Sequence, residues 1–281
     1  MPPSAQASRK YITYSTTQKS NNRMKKNLSV FLLFLVIFGG SGCLSKNEEK
    51  PQLLIYCGIT MARPMNEIAA IIEEQEDVEV IIIQGGSGNL LKSIELNGIG
   101  DIYLPGSKSY VDVARTKGLV VDARLVGYNR AALMVQKDNP LNLTADLQNL
   151  LSPEYYVILG NPDSGSIGKE TQRILERAGL YDAAIQNARE LTTDSKDLVT
   201  ALVEKRADLV INWYAVSTWD GNDNYFDVIL LDPEIAPPKE LVITSLTTAR
   251  EPALAKRFIE YAVSPEGRAI FERYGFAEFI E

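Results

Sequence analysis

The chain alternates between short, continuous apolar runs and segments whose apolar positions recur every three or four residues. Residues 53–57 and 78–83 are apolar or β-branched almost throughout, the mark of strands buried on both faces. Between them, Met65, Ile68, Ala69 and Ile72 share one side of a helix predicted over 64–75. A second short helix is predicted over 90–96, with Leu90, Leu91 and Ile94 on its apolar side, followed by a strand over 101–104. A helix over 110–117 is stopped by Gly118. A new unit begins near Asn129. It reads as strand 131–136, short helix 145–150, strand 155–159, helices 166–178 and 194–204, and strand 207–214. Strands at 228–231 and 241–246 flank the Pro-rich stretch 232–238, which cannot be helical and is read as a crossover. Helices over 253–262 and 265–274 close the chain. Buried strands separated by helices predict an α/β architecture with parallel sheets covered on both faces. In such sheets ligands sit beyond the carboxyl ends of the strands, so the strand-to-helix turns are the places to look for function.

One apolar run is of a different kind. Val30 to Phe38 is nine apolar residues, preceded by Lys25 and Lys26 and followed by small residues ending at Cys43. It is too short to span a bilayer, which takes about 20 apolar residues, and has the size of a secretory signal core. Residues 24–42 are therefore expected to be a signal peptide, with residues 1–23 an upstream extension expected to be disordered. Small residues directly before a Cys resemble a bacterial lipobox, so Cys43 is expected to be lipidated, although Gly40 stands where a Leu is usual. A cleaved signal with an incidental cysteine is the alternative. Residues 43–51 then form the anchor and linker, and the chain is placed at the cell envelope, facing the periplasm or exterior.

Charge narrows the function classes. Residues 1–42 hold six of the 29 Lys and Arg and none of the 36 Asp and Glu. Residues 43–281 thus carry 23 positive against 36 negative charges, a net of −13. That balance argues against nucleic acid, and any anion must be held by local dipoles rather than by the overall field. Histidine is absent, which excludes a Ser-His-Asp triad, a Cys-His pair and His metal ligands. With Cys43 committed to the anchor, Cys57 is alone inside an apolar run and is read as a small buried residue. No cofactor, metal or catalytic residue is expected.

Three strand-to-helix turns share small residues and a hydroxyl: Gly58-Ile59-Thr60, Gly85-Gly86-Ser87-Gly88 and Ser164-Gly165-Ser166-Ile167-Gly168. A helix N-terminus exposes unpaired N–H groups and roughly +0.5 charge, so an anion placed there gains hydrogen bonds without Lys or Arg. Each turn alone is equally explained as a plain helix cap. The second is no P-loop, because Leu91 precedes Lys92-Ser93 where Gly is required.

Four stretches together carry a resemblance: Met65-Asn66-Glu67-Ile68-Ala69 after the first turn; Gly86-Ser87-Gly88-Asn89-Leu90 with Gly100-Asp101-Ile102-Tyr103; Leu159-Gly160-Asn161-Pro162 with Ile211-Asn212-Trp213-Tyr214; and Ser264-Pro265-Glu266-Gly267 with Tyr274-Gly275-Phe276. On these, the segment from Leu53 onward resembles the molybdate-binding protein family of ABC importers. The resemblance implies a two-lobed type II periplasmic-binding-protein fold, each lobe a mostly parallel sheet flanked by helices. Lobe 1 would comprise residues 52–127 and 243–281, and lobe 2 residues 128–242 with the crossover. It implies a monomer that captures molybdate or tungstate in the interlobe cleft and hands it to a membrane permease and an ATPase. By position, the family's two lobe-1 hydroxyls fall on Thr60 and Ser87, its third-loop amide on Ile167 with Ser166 beside it, and its tyrosine on Tyr214. A further amide falls near Ser195 or Lys196. Gly106-Ser107 departs from the family's Ser-Ala-Asp. Arg63 is either an exposed helix-start residue or a direct charge partner for the ligand. Asp163 and Asp194 flank the site as helix caps, or would accept a proton from hydrogen phosphate if either entered it. The competing readings are another anion on the same fold, such as phosphate, sulfate, an organic acid or a phosphorylated metabolite, and an enzyme using Cys57 or the carboxylates.

Overall fold

A computed structural model describes residues 50–276. The predicted upstream extension, signal peptide and Cys43 lie outside the described residues. Among the described residues no helix is long and apolar enough to cross a membrane.

The first lobe begins with β1 (Gln52–Gly58), α1 (Ala62–Gln75), β2 (Glu79–Gly85), α2 (Ser87–Asn97), β3 (Ile102–Leu104) and α3 (Lys108–Thr116). β4 (Val120–Asn129) then leads out of it. α3 stops because Gly118 adopts φ +71°, a conformation open to glycine and strained for other residues. β1 pairs in parallel with β2 on one side and β3 on the other. The register is level at the carboxyl end, with Gly58 opposite Gly85 and Cys57 opposite Leu104. This alignment sets the turns after all three strands side by side along one edge of the sheet.

The second lobe holds β5 (Ala131–Gln136), β6 (Ile158–Gly160), α4 (Ser166–Arg177), α5 (Tyr181–Asn187), β7 (Glu190–Thr192), α6 (Ser195–Val203), β8 (Leu209–Trp213) and β9 (Phe226–Leu230). β6 and β7 pair in parallel with Gly160 opposite Thr192, so the loops leading into α4 and α6 also emerge together. The chain then returns through residues 231–238 to β10 (Lys239–Leu246), which enters the first sheet antiparallel, between β3 and β4. α7 (Pro252–Ala262) and α8 (Pro265–Arg273) pack back on the first lobe.

The two larger sheets are mixed rather than mostly parallel. The five-stranded sheet has the order β2-β1-β3-β10-β4, and in the three-stranded sheet β5 pairs antiparallel with both β8 and β9, while β6 and β7 form a separate parallel pair. The cause is connectivity: β4 runs almost directly into β5 across the lobes and β10 comes back the other way, so β10 runs against both β3 and β4. Each lobe has its own apolar core. Leu53, Ile55, Met65, Ile68 and Phe258 anchor the first, and Leu133, Leu159, Ile174, Leu209 and Trp213 the second. A fully buried aliphatic side chain contributes about 1.5–3 kcal/mol, so each lobe is rigid enough to act as one jaw.

Candidate functional site

The two sets of turns face each other. After β1, residues Ile59–Met61 form a single 3-10 turn before α1. Thr60 is buried there, and its hydroxyl donates only to the thioether sulfur of Met61, a weak acceptor, at 2.9 Å. After β2, Gly86 precedes α2, whose first residue is Ser87; no side chain caps this helix. The Ser87 Oγ accepts from the Gly106 N–H at 3.0 Å, and the Tyr103 hydroxyl donates to the Ser87 carbonyl at 2.7 Å, which fixes the turn.

In the second lobe, Gly165 precedes α4 and again no side chain caps it. Ser166 opens the helix, and its Oγ accepts from the Trp213 indole Nε1 at 3.1 Å. Asp194 caps α6, accepting from the amides of Lys196 at 2.8 Å and Asp197 at 3.2 Å. Ser195, the first residue of α6, stands ahead of both.

Between the lobes lies a chamber of about 10 Å³, lined by Gly58, Ile59, Thr60, Gly85, Gly86, Ser87, Gly165, Ser166, Ile167, Asp194 and Ser195. That is about the room one water molecule needs and is far below the roughly 300–1,000 Å³ of organic-ligand pockets. The turn after β1 and the first residues of α2, α4 and α6 line it, and no Lys or Arg does. Asp194 is the charged residue in the lining; burial, ahead of the Asp197 amide that opposes it, pushes its carboxyl above the ordinary range. The lobes touch closely around the chamber. The Gly88 and Asn89 amides of α2 donate to the Ser164 carbonyl at 2.8 and 3.2 Å, and the Tyr110 hydroxyl donates to the Pro162 carbonyl at 3.1 Å. Gly86 is required by this approach, because a Cβ there would stand 2.5 Å from the Ser164 carbonyl oxygen.

Of the residues singled out in the sequence, Thr60, Ser87, Ser166 and Ile167 line this one chamber. Two others do not. β8 ends at Trp213, and Tyr214 opens the 3-10 turn Tyr214–Thr218, packing beside Gly275. The aromatic that reaches the chamber's hydroxyls is Trp213 instead. Arg63 pairs with Asp220 at 3.4 Å and lies 5.5 Å from the Trp219 ring. Asp163 is exposed and off the chamber, whereas Asp194 is both cap and wall. The Gly106 and Ser195 amides and Trp213 were not singled out as contacts with certainty. Gly106 had no side chain to signal a role.

Two other features do not compete. A groove of about 650 Å³ lies elsewhere, between α3, α4 and β10. Of its cations, Arg173 and Lys239 pair with the buried Glu170, Lys108 pairs with Asp112, and Lys169 lies 4.9 Å over the Tyr110 ring. Cys57 is fully buried, its thiol donating to the Gly58 carbonyl, and burial pushes its pKa far up, so it is no nucleophile in this state.

The sequence matches the model of the bacterial extracellular solute-binding protein family over residues 53–277. It is 22% identical over 262 residues to the molybdate-binding protein ModA of Escherichia coli, covering 90% of this chain and 98% of that protein. The periplasmic molybdate-binding protein of Azotobacter vinelandii superposes with a TM-score of 0.68 at 14% identity, over 82% of this chain and 100% of that one. A periplasmic thiamin binding protein superposes with a TM-score of 0.71 at 17% identity, over 82% of this chain and 84% of that one. At such identities the superpositions establish a shared fold, the two-lobed type II periplasmic-binding-protein fold, and leave the ligand to the site.

Proposed function

Because this chain belongs to the bacterial extracellular solute-binding protein family, we propose that it is the capture subunit of an ABC importer for a tetrahedral oxyanion of the molybdate or tungstate type. The observation that carries this reading is a small interlobe chamber lined by main-chain amide and hydroxyl groups and by no Lys or Arg, with Asp194 its one charged residue. The hydroxyls of Thr60, Ser87 and Ser166 and the amides of Ser87, Ile167 and Ser195 surround it from both lobes. Hydrogen bonds to a charged partner contribute about 1.5–3 kcal/mol each. Six of them gross roughly 9–18 kcal/mol against association costs of about 4–15 kcal/mol, enough for micromolar or tighter capture of a dianion. The uncapped N-termini of α2 and α4 add favourable dipole ends.

The chamber's size disfavours an organic acid or a phosphorylated metabolite, and Arg63, the residue that would have favoured one, is engaged with Asp220 and Trp219. Cargo held this way passes to a membrane permease driven by an ATPase, with the chain tethered through Cys43. The role is binding without catalysis.

Calorimetric titration of the full chain in mild detergent with molybdate, tungstate, sulfate and phosphate tests the reading. Stoichiometric binding of at least one, tightest for molybdate or tungstate, is the expected result. Silence towards all four would remove the oxyanion assignment.

A further inference from the structure

Two of the chamber serines, Ser87 and Ser166, are held in a way that fixes the direction of their hydrogen bonds. A hydroxyl can donate or accept, and its neighbours decide which. An indole N–H can only donate. Trp213 Nε1 lies 3.1 Å from Ser166 Oγ, so this oxygen accepts and its own proton is left to point elsewhere. Trp213 is 1% exposed and embedded in the core of the second lobe, so its N–H cannot turn to water. Without Ser166 it would be a buried donor lacking a partner, which is costly.

We propose that Trp213 is a positioning residue for the bound anion: acting through Ser166, it makes that hydroxyl an obligatory donor into the chamber. The proposal rests on the oxyanion reading above. The Gly106 N–H, also donor-only, imposes the same polarity on Ser87 at 3.0 Å. The two controls meet at Gly106. A Cβ at that position would overlap the Ser166 side chain and stand 3.4 Å from Trp213 Nε1. The fully buried Asn129 donates its Nδ2 to the Gly106 carbonyl at 3.3 Å, which steadies the peptide.

The consequence is selection by protonation state. Ser87 and Ser166 meet a bare oxyanion oxygen with a proton, but meet a ligand O–H with proton facing proton. An anion that is fully ionised at the working pH is therefore favoured over one that keeps a proton. The chamber's one carboxylate, Asp194, could accept such a proton, but its Oδ1 already serves the Lys196 and Asp197 amides. Trp213 and Gly106 thus oppose what Asp194 would permit, and the ratio of tungstate to inorganic phosphate affinity measures which prevails.

The test is a double-mutant cycle on the full chain in mild detergent, titrated with tungstate and with inorganic phosphate. Trp213→Phe keeps an aromatic ring but removes the donor, and Ser166→Ala removes the hydroxyl. Each is expected to weaken tungstate binding about ten- to a hundredfold and phosphate binding less, narrowing the ratio. The double variant is expected to bind tungstate no worse than Ser166→Ala alone, because the indole has nothing left to act through. Losses that multiply in the double variant would show Trp213 acting by packing and overturn the proposal. If Trp213→Phe fails to fold, Ser166→Ala still decides, since an equal loss for tungstate and phosphate overturns it. A wild-type chain that binds none of the anions overturns the oxyanion reading itself, an outcome distinct from multiplying losses in a chain that binds.

Discussion

Gly86→Ala separates the meeting of the lobes from their folding. Gly86 has φ −68° and ψ 135°, which any L-residue adopts without strain. The added Cβ would stand 2.5 Å from the Ser164 carbonyl oxygen and 2.7 Å from that of Thr193. Ordinary carbon–oxygen contacts begin near 3.3 Å, so the approach is short by roughly 0.6–0.8 Å. Both oxygens are main-chain atoms that cannot swing aside. Ser164 O is bound by the Gly88 and Asn89 amides, and Thr193 O by the Ser164 hydroxyl at 2.9 Å. Overpacking of this kind costs about 1–3 kcal/mol, a five- to 150-fold loss of affinity. The ligand-free molecule relieves the overlap by letting the lobes part. Its stability is expected to change little, since losing glycine's unfolded-state freedom, about 0.4–1 kcal/mol, offsets a weaker N-cap. Calorimetric titration with tungstate gives the affinity, and thermal melting without ligand gives the stability. Wild-type affinity in this variant would refute the claim that the ion is held with the lobes in contact at Gly86.

Ser87→Ala and Thr60→Ala are each expected to weaken oxyanion binding by about 1–3 kcal/mol, with Thr60→Ala leaving the fold intact because its hydroxyl meets only the Met61 sulfur; unchanged titrations for both would misplace the site. Arg63→Ala is expected to alter affinity by less than about threefold, since its partner Asp220 is fully exposed and such pairs contribute little; a loss beyond tenfold would return Arg63 to the ligand. The Asp194 pKa is already raised by burial, and a neighbouring dianion raises it further, so binding takes up protons. Affinity for sulfate, which stays doubly charged, is therefore expected to fall as pH rises through the raised Asp194 pKa. Asp194→Asn keeps the cap and should flatten that profile and bind about tenfold tighter at high pH, the size of a one-unit shift; a slope that survives the substitution would assign it to another group.

What could be read from the chain follows the range of each interaction. The strands 53–57 and 78–83 and the turns at Thr60 and Ser87 were legible because a buried parallel strand is a local apolar run and a helix start is a local Gly-Ser signal. β4 was not singled out: its residues pass between exposed and buried along its length, giving no clean period. The contact between the Trp213 indole and Ser166 gave no local signal either, because all five residues of β8 are buried and no alternation marks one of them out. Arg63 sits next to a real turn, but its side chain pairs with Asp220 and lies against Trp219, partners about 160 residues away along the chain that no local pattern announces.

By itself, the sequence determined the α/β class, the Gly- and hydroxyl-bearing helix starts, and the reliance on neutral donors, because strand burial, capping and the absence of histidine are properties of neighbouring residues and of composition. Only the tertiary structure decided that the turn after β1 and the starts of α2, α4 and α6 share one chamber. That depends on Gly58 standing opposite Gly85 and Gly160 opposite Thr192 in their sheets, and on two crossing strands that set one lobe against the other. It alone also decided the direction of the serine hydrogen bonds, since the donors responsible, Gly106 and Trp213, are 19 and 47 residues away along the chain.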